Sequence, residues 1–506
     1  MRLLIKIIGL LFKPTAIRFN QALQNPKSVQ KLIQKDILKR LLNSEYGRFL
    51  GIKSIDDWNR IPIVDYDIIQ PWINKQKETD ASILTNEPII FYEKTSGSRS
   101  AAKLIPYTKS LRKSFNSMFC VWASDLIQNG ISFSTGKIYF SISPQLGEKA
   151  ETIQGISIGL EDDSDYLDTW LQALLSPFWV SIPGMKRIHS PEEFKEKLCL
   201  TLLQEEKLEI ISIWNPSFLK VSLDYIQENR IQLYEKLKNK ISNKRSQLLL
   251  KTEIPWTQLW PHLKLISCWD SANATEQADY LRTQFPGILV QGKGLLATEA
   301  PITIPLLKAN GCVPILNEVF FEFEDNEGNI YLLHELKEGK EYSIILSQKG
   351  GLYRYRMGDR ILVTHFYYNT PCLKFLGRTH TTSDLVGEKL HEDFVKEVLD
   401  KLQLEGTFFK SLVPVTSPKA HYVLLLDYAK ETENAIASRL DSLLSQSYHY
   451  NQARLLGQLS PAKVIISPEI PDKVTQYHID SGKKWGNIKH QLLVTTPIKS
   501  VYQIPV

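Results

Sequence analysis

The sequence has little of what would mark a disulfide-stapled, zinc-binding or nucleic-acid-binding protein. Its five cysteines are widely scattered without a C-x-x-C pair, so neither a disulfide framework nor a zinc site is expected. The ten histidines show no H-E-x-x-H spacing, and no G-x-x-x-x-G-K-[ST] loop occurs. The net charge of +6 is a small difference between 61 basic and 55 acidic residues, which argues against nucleic acid but fits small anionic ligands. A reducing cytoplasm is the expected compartment.

Long apolar runs are also missing. The chain starts with an apolar run, but that run is short. Residues 1–19 read MRLLIKIIGLLFKPTAIRF, where Lys6 interrupts the run and Lys13-Pro14 ends it. No small-residue cleavage site follows, and the run is far shorter than the ~20 apolar residues that span a bilayer. We expect a packed helix and no transmembrane segment. Peripheral contact of this helix with a membrane surface stays open as the alternative.

Helical and strand-like segments alternate through the first 300 residues. Residues 28–42 place apolar side chains at helical spacing, whereas the stretch 62–71, bounded by two prolines, predicts a turn-rich connection. Residues 192–208 and 216–250 are charged and helical in pattern. Compact β-type runs lie between such helices: KIYFSIS (137–143), LEIISIW (208–214), LKLISCW (263–269) and GILVQG (287–292). This alternation predicts an α/β fold with substantial parallel pairing.

The pattern becomes strand-rich after about residue 312 and changes again near residue 383. Residues 325–328 read Asp-Asn-Glu-Gly between two β-type runs, which predicts a hairpin. The last ~120 residues, a normal domain size, alternate helix and strand as a small α+β unit. We therefore predict an N-terminal domain over 1–383 and a C-terminal domain over 384–506.

Two glycine-bearing loops have the composition of a phosphate and metal site. FYEKTSGSRSAAKLIPYTKS (91–110) breaks from a strand into hydroxyls around Gly97, where backbone N–H groups suit a phosphate chain. QGKGLLATEA (291–300) follows a strand, at the end where ligands bind in open α/β sheets. Its Glu299 could bring a carboxylate to Mg²⁺. For either loop, an ordinary solvated turn is the alternative.

Three further stretches carry charge near predicted strand or loop ends. In GLYRYRMGDR (351–360), Arg354 and Arg356 share one strand face, and Gly358-Asp359 interrupts the strand. A carboxylate at such a break can accept hydrogen bonds from two ribose hydroxyls, although a simple Gly-Asp turn is common. CLKFLGR (372–378) ends in a guanidinium, and SGKKWGNIKH (481–490) is a basic loop.

Together these stretches resemble the Gretchen Hagen (auxin-responsive promoter) family of acyl-acid amido synthetases, in its bacterial-type form. TSGSRSAAKLIPYT, QGKGLLATEA, GLYRYRMGDR and FLGRTHTTSDLVGEKL occur in the family's order and approximate spacing. The family belongs to the adenylate-forming superfamily, with acyl-CoA synthetases and firefly luciferase. The resemblance implies a large N-terminal α/β domain of mixed sheets, flanking helices and a β-rich subdomain, followed by a small mobile α+β domain.

The resemblance also implies a site for ATP and Mg²⁺. Its catalytic residues would be Glu299, which also holds the metal, Arg378 and, by a looser match, Lys489. The cofactor-binding residues would be Thr95, Ser96, Gly97, Ser98 and Lys103 at the phosphates, Leu295 and Leu296 near the adenine, Thr298 in the nucleotide motif, Asp359 at the ribose, and Arg378. Arg99-Ser100 and Thr379-His380 depart from the superfamily pattern, at the phosphate loop and the hinge respectively.

The implied reaction is adenylation of a small carboxylic acid by ATP, followed by transfer of the acyl group to an amine or amino acid. We expect AMP and pyrophosphate as co-products and a monomeric enzyme. An acyl-CoA synthetase shares the first half-reaction and remains an alternative. A nucleotide-binding protein without catalysis is a second alternative, which the joint presence of Glu299, Asp359 and Arg378 disfavours.

Overall fold

The computed structural model describes most of the chain. The described residues are 1–94, 103–140, 150–152, 155–158, 166–184, 188, 191–378, 382–386, 388–455, 458–480, 488 and 490–496. They divide into two compact units, one of residues 1–94 with 103–377 and the other beginning at Arg378. The domain boundary after residue 383 stays a prediction.

The first unit holds helices around several sheets. Its described helices are α1 (Arg2–Gln24), α2 (Pro26–Leu42), α3 (Glu45–Phe49), α4 (Tyr66–Glu78), α5 (Lys109–Asn129), α6 (Thr169–Leu175), α7 (Pro191–Gln204), α8 (Pro216–Glu228), α9 (Arg230–Leu237), α10 (Asn243–Leu248), α11 (Trp256–Leu259) and α12 (Thr275–Gln284). Its described strands are β1 (Ile89–Lys94), β2 (Leu104–Thr108), β3 (Lys137–Phe140), β4 (Ala150–Glu151), β5 (Ser157–Ile158), β6 (Leu208–Ser212), β7 (Leu265–Cys268), β8 (Leu289–Gly292), β9 (Thr303–Leu306), β10 (Gly311–Pro314), β11 (Phe320–Glu324), β12 (Ile330–Leu332), β13 (Glu341–Ser347), β14 (Tyr355–Tyr367) and β15 (Thr370–Arg378).

A parallel sheet forms where the sequence predicts one. Its strands lie in the order β3-β6-β7-β8, and each neighbouring pair is parallel. All five residues of β6 and all four of β7 are buried, as expected for central strands of a parallel sheet that is covered on both faces. The four apolar runs chosen from the sequence are the four strands, which confirms that prediction.

Antiparallel sheets make up the strand-rich part of the unit. The largest has the order β12-β11-β13-β14-β15, and a smaller one pairs β10 with β9. A mixed sheet earlier in the chain has the order β2-β1-β5-β4, in which only the β1–β5 pair is parallel. The hairpin predicted at residues 325–328 joins β11 to β12. Asp325 stabilises this turn by accepting the N–H groups of Glu327 and Asn329, both at 2.9 Å.

Helix α4 differs from the sequence expectation. The turn-rich connection predicted over 62–71 is wrong from Tyr66 onward, because α4 begins there and continues through Pro71. Tyr66, Ile69 and Ile73 are buried at helical spacing, so core packing offsets the ~3 kcal/mol that an interior proline costs. Helix α1 likewise continues through Pro14 and stops at Asn25, before the proline that begins α2.

No described helix is long and apolar enough to cross a membrane.

The second unit is a separate α+β body. Its described elements are β16 (Thr382–Ser383), β17 (Leu390–His391), α13 (Glu392–Lys401), β18 (Lys410–Val415), β19 (His421–Leu426), α14 (Glu433–Leu444), α15 (Tyr448–Leu455), β20 (Lys463–Ile466) and α16 (Ile470–Asp480). β19 pairs antiparallel with β18 and parallel with β20. The helix–strand alternation expected for this region is therefore present, with β18 as an additional strand.

One buried carboxylate makes an unusual contribution to the first unit. Glu209 on β6 is fully buried and accepts the N–H groups of Ser134 at 2.8 Å, Thr135 at 2.9 Å and Gly136 at 2.6 Å. Lys264 Nζ lies 2.9 Å from the same carboxylate. Burial alone would raise the pKa of Glu209, but these hydrogen bonds outweigh burial and lower it to about 2. The carboxylate therefore anchors the turn that leads into β3.

We expect Glu209→Gln to lower the free energy of unfolding by about 3 kcal/mol at pH 7, since each pKa unit corresponds to about 1.4 kcal/mol. The depressed pKa stabilises the fold above pH ~4.5, and this contribution is lost as the pH falls toward 2. Urea unfolding between pH 7 and pH 3 would measure both effects, with exposed Glu206→Gln as the control. Equal midpoints for the two variants at pH 7 would contradict this role.

Candidate functional site

Two glycines lie at the end of β8 and in the loop that follows it. A larger residue at either position would displace a neighbouring group. A Cβ on Gly292 would lie 2.2 Å from Asp270 Oδ1, and one on Gly294 would lie 2.6 Å from Thr303 Oγ1. Gly294 also has a φ of +70°, which favours glycine. The chain can thus turn sharply at the carboxyl end of the parallel sheet, as the sequence predicts.

Beyond Gly294 the loop folds back on itself as a narrow turn. Leu295 N–H donates to Thr303 Oγ1 at 2.7 Å, and its carbonyl accepts the Thr303 N–H at 3.0 Å. Closer to the tip, Ala297 N–H donates to the Ala300 carbonyl at 3.2 Å, so residues 298–299 occupy the tip. Leu296 pairs with Pro301 across the same turn. The turn thereby fixes the positions of the threonine and glutamate that the sequence pattern singles out.

A buried phenol holds the tip of this turn. Tyr107 on β2 is fully buried and donates from its hydroxyl to the Thr298 carbonyl at 2.6 Å. Burial is the main cause that raises the pKa of Tyr107 well above its usual value, and the charges of Glu93 and Glu299 raise it further. The phenol therefore stays a neutral donor, and two nearly buried carboxylates lie around it.

Glu93 is a member of this group that the sequence pattern does not single out. It lies on β1 immediately before the polar loop, and it is 8% exposed, close to the 7% of Glu299. A charged residue inside the strand FYEK was the available signal. Because both carboxylates offer hard oxygen donors beside a neutral phenol, the donor set fits Mg²⁺.

Lys103 contacts the ring of a second tyrosine, Tyr66. Its Nζ lies 5.1 Å from the centroid of the Tyr66 ring, a cation–π distance. The Tyr66 hydroxyl accepts the Leu104 N–H at 2.7 Å. Burial raises the pKa of Tyr66, and the negative charge of Glu299 contributes to the same direction. Tyr66 thus contacts Lys103 and is influenced by the charge of Glu299, and both of these are predicted site residues.

Asp359 lies on the antiparallel sheet of the same unit, and its local geometry differs from the prediction. The strand is not interrupted at Gly358-Asp359, because β14 continues to Tyr367. Instead, residues 357–359 lie opposite Ile344 alone, since Ser343 pairs with Arg360 and Ile345 with Arg356. Gly358 adopts a φ of 77° within this bulge, and Asp359 is only 2% exposed. The bulge reorients the aspartate without ending the strand.

The two arginines before Asp359 have structural partners. Arg354 donates from Nε and Nη2 to Glu322 at 3.0 and 2.9 Å, and Arg356 makes the same two contacts with Glu324 at 3.0 and 2.8 Å. Arg354 also donates to the Ile61 carbonyl at 2.9 Å. The prediction that both arginines lie on one strand face is wrong for Arg354, which precedes β14 and has a φ of 45°. Both guanidinium groups nevertheless bind glutamates of β11.

Aromatic side chains gather at the carboxyl end of the parallel sheet. Trp214 and Trp269 follow β6 and β7, and their ring centroids are 5.8 Å apart. Lys293 Nζ lies 5.1 Å from the Trp214 ring centroid and donates to Ser212 Oγ at 2.7 Å. The two ring planes are tilted by 44°, and an aromatic face beside a cation suits a planar anionic ligand. The tryptophans that end two of the predicted strands were the signal for this feature.

Several predicted site residues lie outside what the structure describes. Residues 95–98 of the phosphate loop and Lys489 are among them, as are the departures at 99–100 and 379–380. Arg378 is described as the last residue of β15, without its side chain.

Three family models match the chain in succession. They are the GH3 family N-terminal domain over residues 15–290, the central domain over 312–378 and the C-terminal domain over 390–498.

Curated relatives match along most of their length. The chain is 22% identical to indole-3-acetic acid-amido synthetase GH3.2 of Arabidopsis thaliana, over 84% of this chain and 88% of the relative. It is also 22% identical to GH3.3 of the same plant, over 96% and 92%. Among solved structures, the AtGH3.15 acyl acid amido synthetase in complex with 2,4-DB superposes with a TM-score of 0.79 at 18% identity, covering 95% of this chain and 94% of that one. A 2-hydroxyisobutyryl-CoA ligase in the postadenylation state gives 0.50 at 13% identity, over 96% and 90%.

Proposed function

The chain belongs to the GH3 family, and on that premise we propose that it is an ATP-dependent acyl-acid amido synthetase. The N-terminal family model alone covers more than half of the chain, which confirms the resemblance seen in the sequence motifs. The fold match to an acyl acid amido synthetase confirms the adenylate-forming α/β fold. In this proposal the enzyme activates a carboxylic acid with ATP and then joins it to an amine or amino acid.

The observation that carries the proposal is the narrow turn with residues 298–299 at its tip. Tyr107 holds the Thr298 carbonyl, so the backbone beside Glu299 is fixed before any ligand arrives. Glu93 and Glu299 then concentrate negative charge around the Tyr107 phenol. Such a preorganised group suits a cation-neutralised polyphosphate better than a solvated turn does.

The first half-reaction needs two anions to meet. A carboxylate oxygen of the substrate attacks the α-phosphorus of ATP, the bond to the bridging oxygen breaks, and pyrophosphate leaves with an acyl-adenylate as the product. Glu299 would hold the Mg²⁺ that accompanies ATP, and this ion supplies charge neutralisation on the phosphates and on the leaving pyrophosphate. Positioning of the two reactants can contribute effective molarities of roughly 10⁵–10⁸ M.

The remaining chain groups take roles in binding and orientation. Lys103 would neutralise phosphate charge, Asp359 would accept two ribose hydroxyl hydrogen bonds, and Leu295 with Leu296 would flank the adenine. Residues 95–98, Arg378 and Lys489 keep the roles that the family resemblance implies. In the second half-reaction an amine attacks the acyl carbonyl, AMP departs with the former carboxylate oxygen, and the amine proton is released.

We expect ATP–pyrophosphate exchange that depends on a carboxylic acid. Purified protein would be screened with ATP, Mg²⁺ and labelled pyrophosphate against aromatic and aliphatic acids, and the best acid would then be supplied with amino acids or with coenzyme A. Amide formation with an amino acid supports the proposal, whereas a thioester with coenzyme A would replace it by acyl-CoA synthesis. ATP binding without exchange for any acid would favour a nucleotide-binding protein without catalysis. A cytoplasmic location and a monomeric state remain predictions.

A further inference from the structure

Helix α1 has two apolar faces, and only one of them is covered. The side chains of Ile5, Ile8, Phe12 and Phe19 are buried, and this face packs against α5. The opposite face exposes large aliphatic side chains at the spacing of one helix stripe. This solvent stripe consists of Leu3 (72% exposed), Ile7 (42%), Leu10 (68%), Leu11 (56%) and Ile17 (45%). Such a concentration of exposed aliphatic side chains on one helix marks an interaction surface.

The charge of α1 has a single sign. Arg2, Lys6, Lys13 and Arg18 are exposed, and residues 2–24 contain no aspartate or glutamate. Within the described part of the chain, no ion pair involves these four side chains. At 100° per residue, Lys6 and Lys13 flank the solvent stripe on one side, and Arg18 lies within it, between Ile7 and Leu11. The four charged side chains of α1 are thus all basic and lie beside or within this stripe.

We propose that the solvent stripe of α1 binds the surface of a membrane that contains anionic lipid headgroups. The helix lies in the plane of the interface, with the aliphatic side chains at the boundary of headgroups and acyl chains and the basic side chains among the headgroups. A basic residue near an anionic surface contributes about 1 kcal/mol, which corresponds to about fivefold in binding per residue. Four of the five stripe residues precede residue 15, where the match to the family domain begins.

A second copy of the chain is the other occupant that an apolar helix stripe suggests, and the charges disfavour it. Pairing two α1 helices along this stripe would bring eight basic side chains together with no acidic partner on either helix. Like charges at that spacing repel, and coiled-coil pairs instead place acidic residues opposite basic ones. An anionic lipid surface satisfies both the aliphatic side chains and the cations.

The test uses the full chain with sedimented vesicles of equal parts phosphatidylglycerol and phosphatidylcholine, and with vesicles of phosphatidylcholine alone. We expect binding to the first and much weaker binding to the second. The double variant Leu3→Ser, Leu10→Ser should weaken binding at least about tenfold, because it removes two inserted aliphatic groups. Its matched control is Leu32→Ser, Leu455→Ser, which alters leucines of similar exposure, 64% and 72%, on other helices.

The contribution of the basic side chains to vesicle binding is tested with two double variants that lower the net charge by the same amount. Lys6→Gln, Lys13→Gln should weaken binding about 25-fold, whereas Lys240→Gln, Lys251→Gln, both exposed and distant in sequence, should leave it nearly unchanged. Each variant should retain the wild-type exchange rate without lipid. Because vesicle binding is measured separately from exchange, failure of the proposed function would leave this test intact. Absence of wild-type binding to anionic vesicles would overturn the proposal. So would equal losses in stripe and control variants, or a lipid-free dimer that Leu10→Ser separates into monomers.

Discussion

Replacing Glu299 by glutamine is expected to lower the rate of ATP–pyrophosphate exchange at least about 100-fold, the usual scale for losing one electrostatic group at a reacting centre. Glutamine has nearly the same volume and keeps one carbonyl oxygen, so the turn held by Tyr107 should persist. What disappears is the negative charge that attracts Mg²⁺. Raised Mg²⁺ concentrations should therefore restore part of the activity.

The matched control is Glu324→Gln, which removes a half-buried carboxylate from another sheet of the same unit. Exchange at saturating acid should remain near wild type in this control. Thermal unfolding of both variants separates a loss of stability from a loss of chemistry. Full exchange activity in Glu299→Gln at ordinary Mg²⁺ concentrations would remove Glu299 from the site.

Replacing Asp359 by alanine should raise the dissociation constant for ATP at least about tenfold. Its carboxylate is proposed to accept two ribose hydroxyl hydrogen bonds, and each charge-assisted bond contributes about 1.5–3 kcal/mol. The neighbouring Gly358 permits the bulge that directs the aspartate, so the effect should be specific to this position. Isothermal titration calorimetry with ATP and with ADP would measure it.

Glu341→Ala provides the comparison for Asp359→Ala. Glu341 lies on the adjacent strand β13, where its exposed carboxylate pairs with Arg360 at 2.5 Å. That variant should bind ATP like the wild type. Because Asp359 is buried, Asp359→Asn is also needed, and it should weaken ATP binding while unfolding near the wild-type temperature. An unchanged dissociation constant in both Asp359 variants would exclude the ribose assignment.

The parallel sheet could be predicted because its strands are short apolar runs between charged helices. Because both faces of such strands are buried, their residues form an uninterrupted apolar run. This run can be recognised in the local sequence without knowledge of distant residues. Helix α4 was not predictable in the same way. Pro62 before it and Pro71 within it suggest a turn when read locally, whereas the burial of Ile69 and Ile73 that stabilises the helix is a tertiary effect.

The site shows the same limit at the level of single residues. Glycine-bearing turns after strands point to Glu299 and Asp359, but the partner groups come from elsewhere in the chain. Tyr107 lies 191 residues before Thr298, whose carbonyl it holds, so no local pattern reports the contact. The partners Glu322 and Glu324 could be recognised locally, because in FFEFE the two acids share one strand face and Phe321 and Phe323 lie on the other.

The bulge at residues 357–359 has a consequence for how this gene tolerates change. Side chains alternate between the two faces of a strand, so a shift of one residue exchanges the faces of everything beyond it. The bulge sets the phase of β14 between Arg356, paired opposite Ile345, and Arg360, paired opposite Ser343. Deletion of the codon for Arg360, just after the bulge, would therefore move the rest of the strand up to Tyr367 to the opposite faces and expose buried Ile361 and Val363. Length variation among homologous genes should consequently be rarer here than in the adjoining turns, where added residues leave strand phase intact.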